Sequence, residues 1–433
     1  MGGTLRVGIA GLGTVGAAVV RLLEGQAEAL AARTGRLVRV TGVSARDKAK
    51  DRGPAIAAVR FFDDPIALAA SPDIDLFVEL IGGDEGPARQ AVETALRRGK
   101  SVVTANKALL AKHGLHLAEL AEAHGAALGF EASVAGGIPI VKTLREGLAG
   151  NSIERVYGIL NGTCNYILTR MEQESLPFEV CLREAQKLGY AEADPTFDIG
   201  GFDTAHKLAI LASLAFGTRI AADAIDIEGI ERITLADLRA ADELGYRVKL
   251  LGVAQRTEHG IEQRVHPTMV PKSSPIAQVM GVTNAVTIDA DAVNELTLVG
   301  PGAGGFATAS AVVADISDIA KGVRSAPFGL PHKGLRDVRR GEMRLHEGGY
   351  YIRLMVPDRP GAMAAIATQM AERGISLESI VQRARRGENK GDPVPVALIT
   401  HATTEKLVRD ALDAVVEGGY VAERPQVIRI ERE

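Results

Sequence analysis

The sequence LRVGIAGLGTVG, from Leu5 to Gly16, sets a short apolar run against a turn in which glycine recurs as G-x-G-x-x-G, and helical apolar spacing follows to about Leu30. Glycine turns often serve packing alone. Between a strand and a helix each glycine has a separate task. Gly11 permits the tight turn, Gly13 lets a pyrophosphate approach the backbone, and Gly16 lets helix and strand close up. The helix opening at Thr14 and Val15 then faces the phosphates. The fold class is α/β, with a parallel sheet of alternating strands and helices.

The units that follow keep this alternation. Leu37 to Val43 reads as a second strand. An NAD-specific chain commonly ends that strand on an acid that holds the ribose 2′-hydroxyl. This one continues Ser44-Ala45-Arg46, with Lys48 and Lys50 nearby. Arg46 suits the 2′-phosphate of NADP, so NADP is favoured over NAD; a basic surface loop is the alternative. Leu76 to Ile81 and Ser101 to Val103 are further strands, with a helix over about Pro87 to Arg98 between them. The second of these strands delivers Thr104-Ala105-Asn106-Lys107 to a carboxyl end, where open α/β sheets bind ligands. Lys107 is therefore a candidate site residue, unless it merely follows a helix-capping Asn106. The strand Ala126 to Phe130 ends similarly in EASVAGGIP, Glu131 to Pro139, whose freed carbonyls together with Glu131 suit a hard cation.

After about Gly150 the pattern changes to a strand over Ile153 to Leu160, a helix opened by NGTCNYIL at Asn161 to Leu168, and a second helix to Leu188. Ile261 to Val299 is strand-like in several pieces. Gly300-Pro301-Gly302-Ala303-Gly304-Gly305 then opens a small-residue helix to about Lys321, a turn that either returns the chain to the nucleotide or serves interdomain packing. Gly322 to Arg340 reads as a linker. The remainder orders as strand, helix, two strands, helix, strand, and βαββαβ is a ferredoxin-like module.

At 433 residues the chain has room for about three domains. A net charge of −4 among 24% charged residues leaves no basic excess, so a small molecule is a better partner than nucleic acid or an anionic membrane. Two cysteines, Cys164 and Cys181, make no disulfide framework and suit a reducing compartment. The chain opens directly on a strand, and no apolar run reaches about 18 residues, so a cytoplasmic protein without a membrane span is expected.

The chemistry gathers at GYAEADPTFDIGGFDTAHK, Gly189 to Lys207, where carboxylates and a lysine crowd around a proline and a Gly-Gly pair. Pro195 and Gly200-Gly201 make it a loop feeding a helix from Phe202. Asp203 and Lys207 then lie four residues apart on one face, with Glu192 arriving from the loop. A solvated ion pair is the plain reading. An apolar helix starting under an acidic loop instead suggests a buried start, where a lysine among carboxylates can carry a proton.

Together NGTCNYIL, GYAEADPTFDIGGFDTAHK, GLGTVG, TANK and EASVAGGIP resemble homoserine dehydrogenase over nearly the whole chain. The resemblance implies a Rossmann-type dinucleotide-binding domain over 1–140, completed by about 302–325, and an α+β catalytic and dimerisation domain over 141–301. A linker over 326–347 and a regulatory ACT domain over 348–433 follow. It implies reversible NAD(P)H-dependent reduction of L-aspartate 4-semialdehyde to L-homoserine, with Lys207 as acid–base residue, Lys107 near cofactor and substrate, and Glu192 and Asp203 on the substrate. Cofactor contacts are expected from Gly11, Gly13, Thr14, Val15, Gly16, Arg46, Lys107, Gly189, Gly302 and Gly304. Glu131, Val134, Gly136 and Ile138 match the family's monovalent-cation site, with sodium the expected ion. Threonine is the expected effector and a homodimer or homotetramer the expected assembly. Gly374-Ile375-Ser376 departs from the family, which often has asparagine in place of the serine.

Two other functions fit parts of the sequence. An acylating aldehyde dehydrogenase would use Cys164 as a thiolate near a helix N-terminus, although no adjacent histidine activates it. A non-enzymatic sensor of NADP and amino acids would need only the glycine turn and the C-terminal module, and would leave Glu192, Asp203 and Lys207 without a role.

Overall fold

The computed structural model describes residues 2–48, 50, 56, 59–341, 347–382 and 393–431. Its first half is built on parallel strands β1 (Gly2–Ala10), β2 (Arg36–Ser44), β3 (Arg60–Phe62), β4 (Leu76–Glu79), β5 (Ser101–Thr104) and β6 (Leu128–Gly129), ordered β3-β2-β1-β4-β5-β6. This is the doubly wound order, and its direction reverses between β1 and β4, beside the glycine turn. Val7, Ile9, Phe77, Val78, Val102 and Val103 are fully buried, as central parallel strands covered on both faces require. The single helix expected to about Leu30 is two, Thr14–Gly25 and Ala27–Thr34, meeting at Gln26. The three-residue β3 is too short to show a period. Late in the chain the Gly305–Lys321 helix returns to this half, where Ala309, Val312 and Ile316 share a core with Val7, Ile9 and Val19.

The second half is one long mixed sheet. Strands β7 (Ile153–Ile159), β8 (Asp226–Ile227), β9 (Tyr246–Thr257), β10 (Gly260–Pro271), β11 (Thr283–Ala290) and β12 (Asn294–Pro301) precede the C-terminal strands β13 (Glu347–Pro357), β14 (Leu377–Gln382), β15 (Pro393–Thr400), β16 (Thr403–Thr404) and β17 (Gln426–Ile430). The order is β12-β11-β7-β9-β10-β17-β13-β15-β14, with β8 on β10 and β16 on β13. Helices Gly162–Glu174 and Phe202–Phe216 lie against it, packing Ile167, Leu168, Leu208 and Leu211 with Val156, Leu250 and Ala254. The sequence reading places no strand over β9. Lys249, 1% exposed in its middle, interrupts the apolar run by which a buried strand is recognised.

The C-terminal part has the expected βαββαβ order, with helices Ala362–Glu372 and Glu405–Glu417 and strands ordered β17-β13-β15-β14. It is not a detached module, because β17 pairs in parallel with β10 at Thr268↔Arg429 and Met269↔Ile430. Tyr351, Ile399, Ile428 and Ile430 also enter the catalytic core. Buried Asp237 accepts hydrogen bonds from Tyr351 (3.2 Å) and Arg353 (2.8 Å) across the same junction. The expected linker is likewise tied down: Phe328 and Leu335 are buried, and bridges join Thr218 to Arg336 and Ile261 to Arg340. Glycine and proline exclude regular structure there, but they do not prevent docking. Part of that stretch, residues 342–346, lies outside the described residues.

Candidate active site

Gly201, at φ +88°, starts the Phe202–Phe216 helix close against the sheet, where an added Cβ would meet Val265 at 3.0 Å and Ile227 at 3.1 Å. Asp203 is thereby buried in the first turn, with Lys207 one turn on. One Asp203 oxygen accepts from Lys207 Nζ (2.7 Å) and Asn161 Nδ2 (2.9 Å), while the other pairs with Lys107 Nζ at 3.1 Å. Lys207 Nζ also donates to the Leu160 carbonyl at 2.6 Å. Burial works against the Asp203 carboxylate, but the charges of Lys207 and Lys107 and the hydrogen bonds from Lys207 and Asn161 hold its pKa well below the usual range.

Two residues missed in the sequence reading complete this cluster. Asn161 caps the Gly162–Glu174 helix by accepting from the Cys164 N–H, which frees its amide to donate to both Asp203 and Asp198 Oδ1 (2.8 Å). Burial pushes the Asp198 carboxyl up; the Asn161 hydrogen bond opposes this and the Asp203 charge adds to it. A capping asparagine in NGTCNYIL was the available sign for the first, and the acidic stretch itself for the second. Asn165 of the same motif pins the following loop by donating to the carbonyls of Val279, Gly281 and Thr283. Buried Lys249 donates to Asn165 Oδ1 and Val279 O, and burial lowers its pKa to about 7. Glu192 is exposed, and its carboxylate makes no hydrogen bond or ion pair with the other described residues, while its carbonyl accepts from Gln186.

The position of Lys107 follows from β4 and β5. Buried Glu79 accepts from the Ile81 and Gly82 N–H groups and from Thr104 Oγ1, which shapes the loop after β4. Asn106 donates to Gly83 O at 2.6 Å and caps the Lys107–Ala123 helix through the Leu109 N–H. Asn106 thus caps the helix, and the same turn carries Lys107 to Asp203.

The glycine turns fit a dinucleotide. Gly11 lies at φ +97°, and an added Cβ there would strike the Leu80 carbonyl; at Gly16 it would strike the Gly11 carbonyl. Around Gly13 the space is open, and this residue starts the Thr14–Gly25 helix with no side-chain cap. Gly304 starts the Gly305–Lys321 helix, also uncapped, and Gly305 packs beside Thr14. Two helix N-termini with free N–H groups thus converge on one place. At Gly302 an added Cβ would collide with Asn284. Gly189, at φ +75°, ends the Phe178–Lys187 segment beside the acidic loop. Arg46 is exposed past β2 and makes no hydrogen bond or ion pair with other described residues.

At Glu131 both carboxylate oxygens accept backbone N–H groups, from Val141 and Lys142 at 2.9 Å each. Burial, with the Asp315 charge nearby, raises its carboxyl to about 7. Lys142 Nζ meets Asp315 at 3.5 Å and Asp318 at 2.5 Å, so two carboxylates share one ammonium beside Glu131. Among the described residues no group of three or more histidine, cysteine or acidic side chains is placed to hold a metal. Cation ligation here would therefore rest on Glu131 and backbone carbonyls.

A doubly wound dinucleotide-binding sheet beside a buried lysine–carboxylate clamp defines a nicotinamide-dependent oxidoreductase acting on a CH–OH group. Residues 139–317 match the family model for homoserine dehydrogenase, residues 11–131 that for its NAD-binding domain, and residues 350–417 that for the ACT domain. The homoserine dehydrogenase of Pseudomonas aeruginosa is 46% identical over 419 residues, 95% of each chain. The crystal structure of a homoserine dehydrogenase from Thiobacillus denitrificans matches with a TM-score of 0.92 at 43% identity, covering 99% of both chains. A hyperthermophilic archaeal homoserine dehydrogenase in complex with NADPH matches at a TM-score of 0.62 and 29% identity, over 73% of this chain and 97% of that one. The chain belongs to the homoserine dehydrogenase family.

The thiolate mechanism is thereby set aside. Cys164 is fully buried, its thiol donates to the Asp198 carbonyl at 3.2 Å, and burial pushes its pKa well up. A thiol so placed is inert. A sensor without chemistry fails too, since it gives the clamp no purpose. Among the described residues no helix is long and apolar enough to cross a membrane.

Proposed function

We propose that Lys207 is the acid–base group in the interconversion of L-aspartate 4-semialdehyde and L-homoserine. The observation that carries this is the use of its protons. An ammonium has three, of which Leu160 O and Asp203 take two, leaving one for a substrate oxygen. Bound nicotinamide supplies the hydride, or accepts it in the reverse direction. As negative charge grows on the aldehyde oxygen, the Lys207 ammonium stabilises it and gives up its proton, and in reverse the neutral amine takes the homoserine hydroxyl proton. Asp203, held ionised by two lysines, orients both and keeps no proton. Lys107 sits across Asp203, ready to share the charge. The substrate ammonium falls to Asp198, whose second oxygen accepts no hydrogen bond from the other described residues, with Glu192 joining from the rim.

NADP is the favoured cofactor, read by Arg46 with Lys48 and Lys50; the NADPH bound by the archaeal relative supports this assignment. A monovalent cation, sodium in our reading, would be held by Glu131 and the carbonyls of Val134, Gly136 and Ile138, where carboxylates outnumber ammonium groups. In the ACT domain, Gly361 at φ +87° starts the Ala362–Glu372 helix uncapped, offering N–H groups to the carboxylate of a threonine effector. Ser376 Oγ is 3.1 Å from His401 Nδ1 nearby. The edge strand β14 exposes Ile380 and Val381, which suits pairing of two copies into a homodimer or homotetramer. The activity serves threonine, methionine and isoleucine biosynthesis in this reading.

The direct assay follows nicotinamide absorbance with L-homoserine and each oxidised cofactor. We expect turnover with both and a higher kcat/KM with NADP. A folded protein that reduces neither would overturn the assignment, and a preference for NAD would remove Arg46 as the reader of a 2′-phosphate.

A further inference from the structure

Between the ACT domain and the catalytic half lies an open cleft of ≈ 550 Å³, walled on one side by β8 and β10 and on the other by the Glu405–Glu417 helix and Arg424. It is separate from the clamp and from the exposed β14 edge. At its floor buried Glu405 is held by Arg429 (2.5 Å) and Arg409 (3.1 Å). At its walls, Asp226, Asp410 and Asp413 stand with Lys406 and Arg424, and none of these five side chains has a hydrogen bond or ion pair with other described residues. Burial pushes the Asp226 carboxyl up, as does the charge of Glu405, against the charges of Arg429 and Arg340.

The lining selects a class of ligand. It carries five carboxylates and four lysine or arginine side chains, so a phosphate or nucleotide meets too many acids and a polyamine too many bases. A molecule bearing both signs satisfies both sets.

The same wall touches the active site. Glu228 N–H donates to Val265 O at 2.8 Å, and Ile230 N–H donates to Ile199 O at 2.9 Å. Gly229 lies so close to the Ile199–Gly201 turn that an added Cβ would sit 2.7 Å from Gly200 Cα. Ile227 packs on Gly201 from the cleft side. That turn joins Asp198 to the start of the helix bearing Asp203 and Lys207.

We propose that this cleft is an effector site for a free α-amino acid, its ammonium on Asp226 and its carboxylate on Arg424 and Lys406, and that the occupant acts on the Lys207 helix through Ile227–Ile230. This rests on reading the ACT domain as regulatory, and it adds an amino-acid site at the domain junction, apart from the one at the pairing edge. Coupling of this kind is reciprocal.

The test is calorimetric titration of the full-length protein with L-threonine, L-methionine and L-isoleucine in turn. Wild type is compared with Asp226→Asn, Arg424→Gln, the double variant, and Ser376→Ala at the pairing edge, with melting curves confirming that each is folded. At least one amino acid should bind wild type and Ser376→Ala alike and lose about tenfold or more in affinity in each cleft variant. Saturating homoserine with NADP should shift that affinity. Binding that survives the double variant and fails in Ser376→Ala overturns the cleft and leaves the pairing edge as the effector site. Binding unchanged by every variant, or binding indifferent to homoserine and NADP, overturns the cleft as an effector site. No binding of any of the three overturns both sites.

Discussion

Folding carries the Glu131 carboxyl from its ordinary 4.5 to about 7. Between those values the folded chain holds a proton that the unfolded chain has lost, so this residue makes stability fall as pH rises through 4.5 to 7, and its full cost stands above that window. A cation seated on the ionised carboxylate offsets the cost. Melting temperatures in sodium chloride against tetramethylammonium chloride should therefore show a larger gain from sodium at pH 8 than at pH 5; equal gains would remove Glu131 from the cation's ligands. At this scale Asp203 and Lys207 were legible in sequence, because a helix fixes which residues four apart share a face. Asp198 and Glu192 were not told apart, since a loop has no period to say which carboxylate turns inward. The Lys107–Asp203 pair was also hidden: it spans the two halves of the molecule, and no local pattern encodes it.

The element on which the site turns is the Ile199–Gly201 bend and the strand-like segment behind it. Gly229 has no room for a side chain against Gly200 Cα and the Ile199 carbonyl. Gly229→Ala should therefore lower stability by about 1–3 kcal/mol, the usual cost of overpacking, and lower kcat while leaving NADP affinity unchanged. Thermal melting, steady-state kinetics and cofactor titration read the three quantities. Unaltered kcat in a destabilised variant would show that the bend tolerates movement. The strands and helices of the first half were readable because alternation and glycine punctuation agree there. The β9 strand was not, since buried Lys249 breaks its apolar pattern and is satisfied by Asn165 and the Val279 carbonyl, partners far along the chain.

For the whole molecule, the ACT domain is an extension of the catalytic sheet and not an appendage. Its βαββαβ order was legible from local pattern, whereas the pairing of β17 with β10, which joins residues more than a hundred positions apart, was not. A chain ended after Arg340 would expose the β10 edge, bare the core that Tyr351, Ile428 and Ile430 cover, and leave Asp237 without Arg353. We expect it to be insoluble or markedly less stable, as sedimentation and melting would show; a soluble, fully active fragment would mean that the junction carries little of the stability. Both halves meet at one place, where β5 leads to Lys107, β7 leads to Leu160 and Asn161, and the Phe202 helix brings Asp203 and Lys207. The most direct test of the account is the kinetics of Lys207→Ala alongside NADPH titration. Positioned acid–base catalysis typically contributes about 10²–10⁴-fold, so kcat should fall within that range while NADPH affinity stays at the wild-type value. Turnover equal to wild type in a folded Lys207→Ala protein would contradict the assignment of the proton to Lys207.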